Sequence, residues 1–329
     1  IIKKEDDAGY DKTAFEKMLE IKGDSDHTKL IDMLTDLNDY SIGIEDVLKE
    51  HFDEENIVYW MAFQILMGNV DTQNRNVYLY SPLNSDIWYF IAWDNDGCLM
   101  RPEYELRNFS DQNSWEKGIS NYWGNILFQR CLKSRSFREK LNDAILDLRE
   151  YLNKDMLTSK IESYKNVLKP YLYLMPDAEY EPLTSEQYDQ IAASLPDEIE
   201  KNYQLYLESL ETPMPFYIGV PTIDGDKLKF NWDVSYDLDA EDITYSVEVA
   251  GDYLFRDVIY QNTTLTVPES EMELPNAGQY FVRVRATNTS GKTQDAFDYY
   301  VTDEGKHYGM KCFYITEDST VEEDNYEEG

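Results

Sequence analysis

The sequence predicts an α+β chain of more than one domain: a mainly helical body with one short β-hairpin, followed by an all-β sandwich. Three observations predict it. Apolar residues recur at helical spacing over most of 11–209. Two β-rich runs, 77–80 and 87–93, interrupt that pattern on either side of the turn-forming stretch 81–86. Past Thr212-Pro213-Met214-Pro215 the period falls from about 3.6 to about 2.

Taken in order, residues 11–22 form a short amphipathic helix through Phe15, Met18, Leu19 and Ile21. A second covers about 26–38 with Leu30, Ile31, Met33, Leu34 and Leu37, and 41–51 is a third short piece. Asp53, Glu54 and Glu55 suit the N-terminus of the next helix, 57–67, whose almost wholly apolar run IVYWMAFQILM predicts burial and ends at Gly68-Asn69. Residues 98–118 show no period and read as a connecting loop holding Arg101, Tyr104 and Arg107. Helical spacing returns over 121–174, with Leu127, Cys131, Phe137, Leu141, Ile145 and Leu148 as core. Within it a helix at about 155–170 carries Leu157, Ile161, Tyr164 and Val167 and stops at Pro170. A helix over 185–209 is interrupted near Pro196, and the aromatics of this region read as core.

Beyond the Pro-rich step, Leu228, Phe230, Trp232 and Val234 alternate with Lys229, Asn231 and Asp233. Tyr245, Val247 and Val249 alternate with Ser246 and Glu248, and Tyr280, Val282, Val284 and Ala286 with Phe281, Arg283 and Arg285. One packed face and one wet face define a sandwich. The expected division is 1–212, 213–304, and an acidic tail or linker at 305–329.

With 30 Lys and Arg against 65 Asp and Glu, the net charge is −35. Such a field repels nucleic-acid phosphates and anionic membranes, so neither is an expected partner. It also opposes free nucleotide, so a nucleotide site here leans on bound divalent cations. Cys98, Cys131 and Cys312 are odd in number and widely spaced, which gives neither a disulfide framework nor a zinc site. His27, His51 and His307 are scattered and read as surface or structural residues. No apolar run approaches the ~18 residues of a membrane span.

The candidate site lies at one end of the hairpin. Antiparallel strands sit about 4.8 Å apart, so the entrance of the first lies beside the exit of the second. Asp71 and Asn76 precede the first strand; Asp94 and Asp96 follow the second. Three carboxylates and an amide form an oxygen-donor set suited to Mg2+, which takes one or two protein carboxylates and completes its shell with phosphate oxygens. In so acidic a chain the same residues equally describe a solvated turn. As a calcium loop, Asp-Asn-Asp-Gly lacks the third Asp or Asn and the distal Glu.

Gly68-Asn69-Val70-Asp71 with Asn76, then Trp93-Asp94-Asn95-Asp96, resembles the spore-coat protein H (CotH) kinase family, over roughly 10–168. The resemblance implies a kinase-like C-lobe in which Asp71 orients the substrate hydroxyl. It also implies that Asn76 and Asp94 hold Mg2+ (or Mn2+) against ATP, with Asp96 an accessory ligand. Kinases also carry a nucleotide lobe with a Gly-rich loop and a Lys–Glu pair. This chain reaches Asp71 without one, and Lys3 and Lys4 have no strand context, so the expectation is a domain lacking that lobe. Trp232 and the stretch GQYFVRVRATNTSG resemble a fibronectin type III domain over roughly 213–303.

The implied function is phosphate transfer from ATP to Ser or Thr of a protein. The alternatives are a non-catalytic binding or scaffold protein with a degenerate kinase-like domain, and a calcium-dependent adhesin using Asp94 and Asp96. Expected partners are a protein substrate or a surface protein, and the expected location is extracellular, on the cell surface or spore coat of a bacterium.

Overall fold

The body is built around one helix. The computed structural model describes residues 28–73, 76–99, 115–303 and 305–323. In it, α1 (Thr28–Asn38) and α2 (Ile44–His51) lead into α3 (Glu54–Met67). The Asp53 side chain accepts from the Asn56 N–H and caps α3. Gly68 ends the helix at φ 63°, a left-handed conformation that glycine adopts without a Cβ clash. Ile57, Met61, Ala62 and Leu66 are fully buried, and so is Gln64. A helix apolar around its whole girth has to be enclosed. Fully burying each such aliphatic side chain is worth about 1.5–3 kcal/mol.

The enclosure comes from the hairpin β1 (Tyr78–Tyr80) and β2 (Tyr89–Ile91), then from α4 (Ile126–Lys133), α5 (Arg135–Tyr151), α6 (Lys154–Leu172), α7 (Ser185–Ser194) and α8 (Glu198–Glu211). Of these, β2, α5 and α8 pack directly on α3. The hairpin is antiparallel, pairing Tyr78 with Ile91, Leu79 with Phe90 and Tyr80 with Tyr89. It is shorter at both ends than the predicted runs. Asn56 of α3 grips its inner strand twice: Oδ1 accepts from the Phe90 N–H at 2.6 Å and Nδ2 donates to the Phe90 carbonyl at 3.1 Å. The Trp88 N–H donates to the His51 carbonyl at 2.7 Å, and Lys29 Nζ donates to the Pro82 carbonyl at 2.7 Å. Below this, Phe90 meets Trp60 at 4.8 Å and Phe128 at 5.8 Å, with Tyr122 5.3 Å from Phe128.

The second part holds β3 (Thr222–Asp224), β4 (Lys227–Asn231), β5 (Ile243–Ala250), β6 (Val258–Leu265), β7 (Glu269–Glu273), β8 (Gly278–Asn288), β9 (Thr293–Asp295), β10 (Tyr299–Thr302), β11 (Gly305–Tyr308), β12 (Met310–Ile315) and β13 (Val321–Glu323). One antiparallel sheet runs β3-β4-β7; a larger one runs β13-β12-β8-β5-β6, with β9 beside β8. Leu228, Phe230, Val247, Val284 and Phe313 share one core. The two parts are packed together: Trp115 lies 5.1 Å from Phe297, and Met214 and Phe297 belong to the core of the helical body. Among the described residues no helix is long and apolar enough to cross a membrane.

Several expectations change. Helix α6 runs through Pro170 to Leu172, because a proline in the last turn of an exposed helix forfeits one hydrogen bond where the helix is ending anyway. Tyr164, an aromatic expected in the core, is 63% exposed. Val234 is exposed too, since β4 ends at Asn231 and the Asp233 N–H turns to the Tyr217 carbonyl. Phe281, read as wet, is covered by a second small cluster of Ala250, Phe255, Met310 and Cys312. Residues 305–315, expected in a tail or linker, are strands: β12 pairs with β8 from Met310↔Arg283 to Ile315↔Gly278 and buries Cys312 and Phe313. The predicted helix 11–22, Lys3, Lys4, Arg101, Tyr104 and Arg107 lie outside the described residues.

Replacing Asn56 by alanine strips both amide contacts from Phe90 and leaves its buried N–H unpaired. The expected cost is about 1–3 kcal/mol, read as a lower urea midpoint with an unchanged m-value.

Candidate functional site

The loop after α3 turns through a short 3-10 segment, Val70–Gln73, that carries Asp71. The chain leaving β2 ends in a second, Asn95–Gly97, preceded by Asp94 at φ 51°. Three side-chain amides join these turns. Asn69, 2% exposed, donates from Nδ2 to Gln64 Oε1 at 3.0 Å and to Asn95 Oδ1 at 3.3 Å. Gln64 Nε2 donates to the same Asn95 Oδ1 at 3.0 Å, closing a triangle. The other polar atom of its amide, Asn69 Oδ1, accepts from the Asp71 N–H at 3.3 Å. Just beyond, the Leu99 N–H donates to the Met67 carbonyl at 2.7 Å, bringing the chain after the second turn back to the end of α3.

Other elements hold the Asp71 loop from its buried side. Thr72 Oγ1 meets Tyr122 Oη at 3.0 Å, Asn121 Nδ2 donates to the Val70 carbonyl at 3.2 Å, and Asn202 Nδ2 of α8 donates to the Leu66 carbonyl at 2.9 Å. Gly97 packs against the loop face to face: a Cβ there would lie 3.0 Å from Asn69 Oδ1 and 3.3 Å from Asp71 Oδ2. The Asp71 carboxylate therefore sits directly against the Asp94-Asn95-Asp96-Gly97 segment.

The predicted residues meet in part. Asp71 and the 94–97 turn are adjacent, while Asp71, Asp94 and Asp96 all have exposed side chains. Asn76 is half-buried at φ 54° at the entrance of β1. Among the described residues no three His, Cys, Asp or Glu side chains stand together so as to hold a metal ion. The expected convergence of three carboxylates is thus absent, because the turns point Asn95 inward and leave Asp94 and Asp96 toward solvent.

Sequence reasoning passed over Gln64, Asn95, Asn121, Asn202 and Gly97. One signal was visible: Gln64 is the single polar residue in the apolar run 57–67, and a buried amide requires partners.

Partly buried Cys98 follows Gly97. Burial, and then the nearby Asp96 charge, push its thiol up to about 12. Burial likewise raises Cys131 and Tyr122 well above their ordinary values. Each is neutral when protonated, so the unfolded chain releases these protons first. Stability is complete below the unfolded thiol value of about 8.5 and falls as pH rises toward the folded values. Urea midpoints should drop steadily between about pH 9 and pH 11, and a flat profile would contradict the burial of these groups. Gly97→Ala forces a methyl against Asn69 and Asp71. It should cost about 1–3 kcal/mol by the same assay, whereas a neutral change would show that the two turns are not in contact.

Comparison with known proteins gives a family. No curated protein matches the chain. Matching solved structures include the twitchin kinase region from C. elegans, at 16% identity and TM-score 0.22, covering 29% of this chain and 20% of that one. Another is surface layer protein SbsC, domains 1–6, at 11% identity and TM-score 0.17, covering 93% and 40%. This chain spans about a fifth of the first and two fifths of the second, and neither likeness is close enough to define its fold. The family described as CotH kinase protein matches residues 2–206, which include α3, the Asp71 loop, the hairpin and the 94–97 turn, and the chain belongs to that CotH kinase family.

Proposed function

We propose that this chain is the metal-binding, substrate-side part of a CotH-type atypical protein kinase that transfers phosphate from ATP to a Ser or Thr hydroxyl of a protein. One observation carries the reading. The Asp71 carboxylate lies against the Asp94–Gly97 turn, and buried amides fix that placement. In this reading Asp71, exposed yet anchored through its own N–H to Asn69, accepts a hydrogen bond from the acceptor hydroxyl and aims its oxygen. Asp94, with Asn76 across the hairpin, is the first choice to hold Mg2+ or Mn2+, and Asp96 is an accessory. When bound, the ion supplies positive charge that neutralises the phosphates. In a chain of net charge −35 that compensation matters more than usual, because the protein's own field opposes ATP.

The β part fits the reading as a fibronectin type III-like module: a three-stranded sheet and a larger sheet share one core. It would serve as a support or a platform for the protein partner.

The test is Asp71→Asn and Asp94→Asn in the intact protein. Both should lower incorporation of labelled phosphate by about 10²–10⁴-fold. Urea midpoints should stay unchanged, because both side chains are exposed. A rise in melting temperature with Mg2+ and ATP should be kept by the first variant and lost by the second. Full incorporation by both variants would remove the kinase reading.

A further inference from the structure

Gln64 stands where packing alone calls for an apolar side chain. It lies inside α3, in the otherwise apolar run 57–67, and is fully buried. An apolar residue of the same length would fill that space with no demand for partners. Where both partners of a buried bond give way to apolar groups of like shape, the exchange is often nearly neutral for stability. Proteins break such local patterns chiefly at functional sites.

Its two bonds show what it joins. Nε2 donates to Asn95 Oδ1 at 3.0 Å, and Oε1 accepts from Asn69 Nδ2 at 3.0 Å. Asn69 in turn accepts from the Asp71 N–H at 3.3 Å. One amide on the most enclosed helix thus reaches the Asp71 loop on one side and the 94–97 turn on the other. The Asp71 loop has a separate hold on its buried side, where Thr72 meets Tyr122 and Asn121 meets the Val70 carbonyl. Neither of those bonds involves the 94–97 turn.

We propose that Gln64 is a positioning residue for the phosphate transfer. It acts through Asn69 and Asn95 to keep the Asp71 carboxylate in register with the turn that follows Asp94. This rests on the kinase reading and adds to it a residue that, being buried, never touches substrate. Removing the Gln64 amide orphans neither neighbour, because Asn69 Nδ2 still donates to Asn95 Oδ1 at 3.3 Å. The body then stays folded while the two turns lose their common anchor. A misplacement of about 1 Å at a reacting group can slow a reaction by about 100-fold.

The test is Gln64→Met in the intact protein, alone and combined with Asp71→Asn. By hydrogen exchange, residues 69–73 and 94–99 should open faster in Gln64→Met, while α5 and α8 exchange as before. With labelled ATP and dephosphorylated casein as acceptor, kcat should fall about 10- to 100-fold and KM should hold. In the Asp71→Asn background the same substitution should cost little more, because the residue through which Gln64 acts is already disabled. A purely structural role would instead lower both backgrounds by one factor. Asn95→Ala, at the half-buried corner of the triangle, should repeat the pattern and stands in if Gln64→Met does not fold. Unchanged exchange in both turns overturns the proposal, as does an equal loss of kcat in the two backgrounds. Either result leaves the kinase reading standing as long as Asp71→Asn alone lowers incorporation. Full incorporation by Asp71→Asn removes that reading, and this role with it.

Discussion

The arrangement of the site depends on one buried amide. Asn69 is almost wholly removed from water, and its carboxamide is committed on both sides, to Gln64 and Asn95 through Nδ2 and to the Asp71 backbone through Oδ1. Leaving such a group unpaired in the interior costs about 1–3 kcal/mol, so the loop after α3 and the turn after β2 are held to each other. Gln64 supplies the fixed point. It projects from the middle of the most enclosed helix, whose neighbours leave it no freedom. Gly97 completes the arrangement by having no side chain where the two turns touch. An exposed carboxylate on a surface loop is usually loosely placed; here Asp71 inherits the rigidity of α3 through two hydrogen-bonded residues.

The scaffold was more legible in the sequence than the wiring. An uninterrupted apolar run ending in Gly-Asn describes α3 without ambiguity, and two aromatic-rich runs around a Pro-Leu-Asn-Ser turn describe the hairpin. What periodicity could not supply was the direction of each polar side chain. Asp94, Asn95 and Asp96 are equivalent by spacing, yet Asn95 is drawn inward because Gln64 and Asn69 both offer donors to its carbonyl oxygen. The misreadings share a cause. Alternation over 280–286 marks one packed face but is silent on whether something covers the other, and so Phe281 was read as wet. Helical spacing in α6 marks a stripe and does not say what lies against it, so Tyr164, an aromatic expected in the core, faces water. At the C-terminal end, the charge of the last thirteen residues obscured the apolar strand Met310–Ile315 just before them.

The β part bears on the site by contact, even though it carries none of the candidate residues. Phe297 and Tyr308 meet Trp115 edge-on at 5.1 and 5.9 Å. Three residues on, Gly118 at φ 50° lies so close to α8 that a Cβ would stand 2.1 Å from Ser209 Oγ, and that hydroxyl accepts from the Ile119 N–H at 3.0 Å. The next turn, Ser120–Tyr122, presents Asn121 to Val70 and Tyr122 to Thr72. A continuous series of packed and hydrogen-bonded residues therefore runs from the β part, through Trp115 and α8, to the loop that bears Asp71. Because Phe297 and Met214 lie inside the core of the helical body, displacing the β part would open that core to water. Each large apolar side chain so exposed costs about 1.5–3 kcal/mol. The β part is in this sense a buttress: it keeps in place the turn against which the Asp71 loop rests, so the geometry of the candidate site is a property of the two parts together.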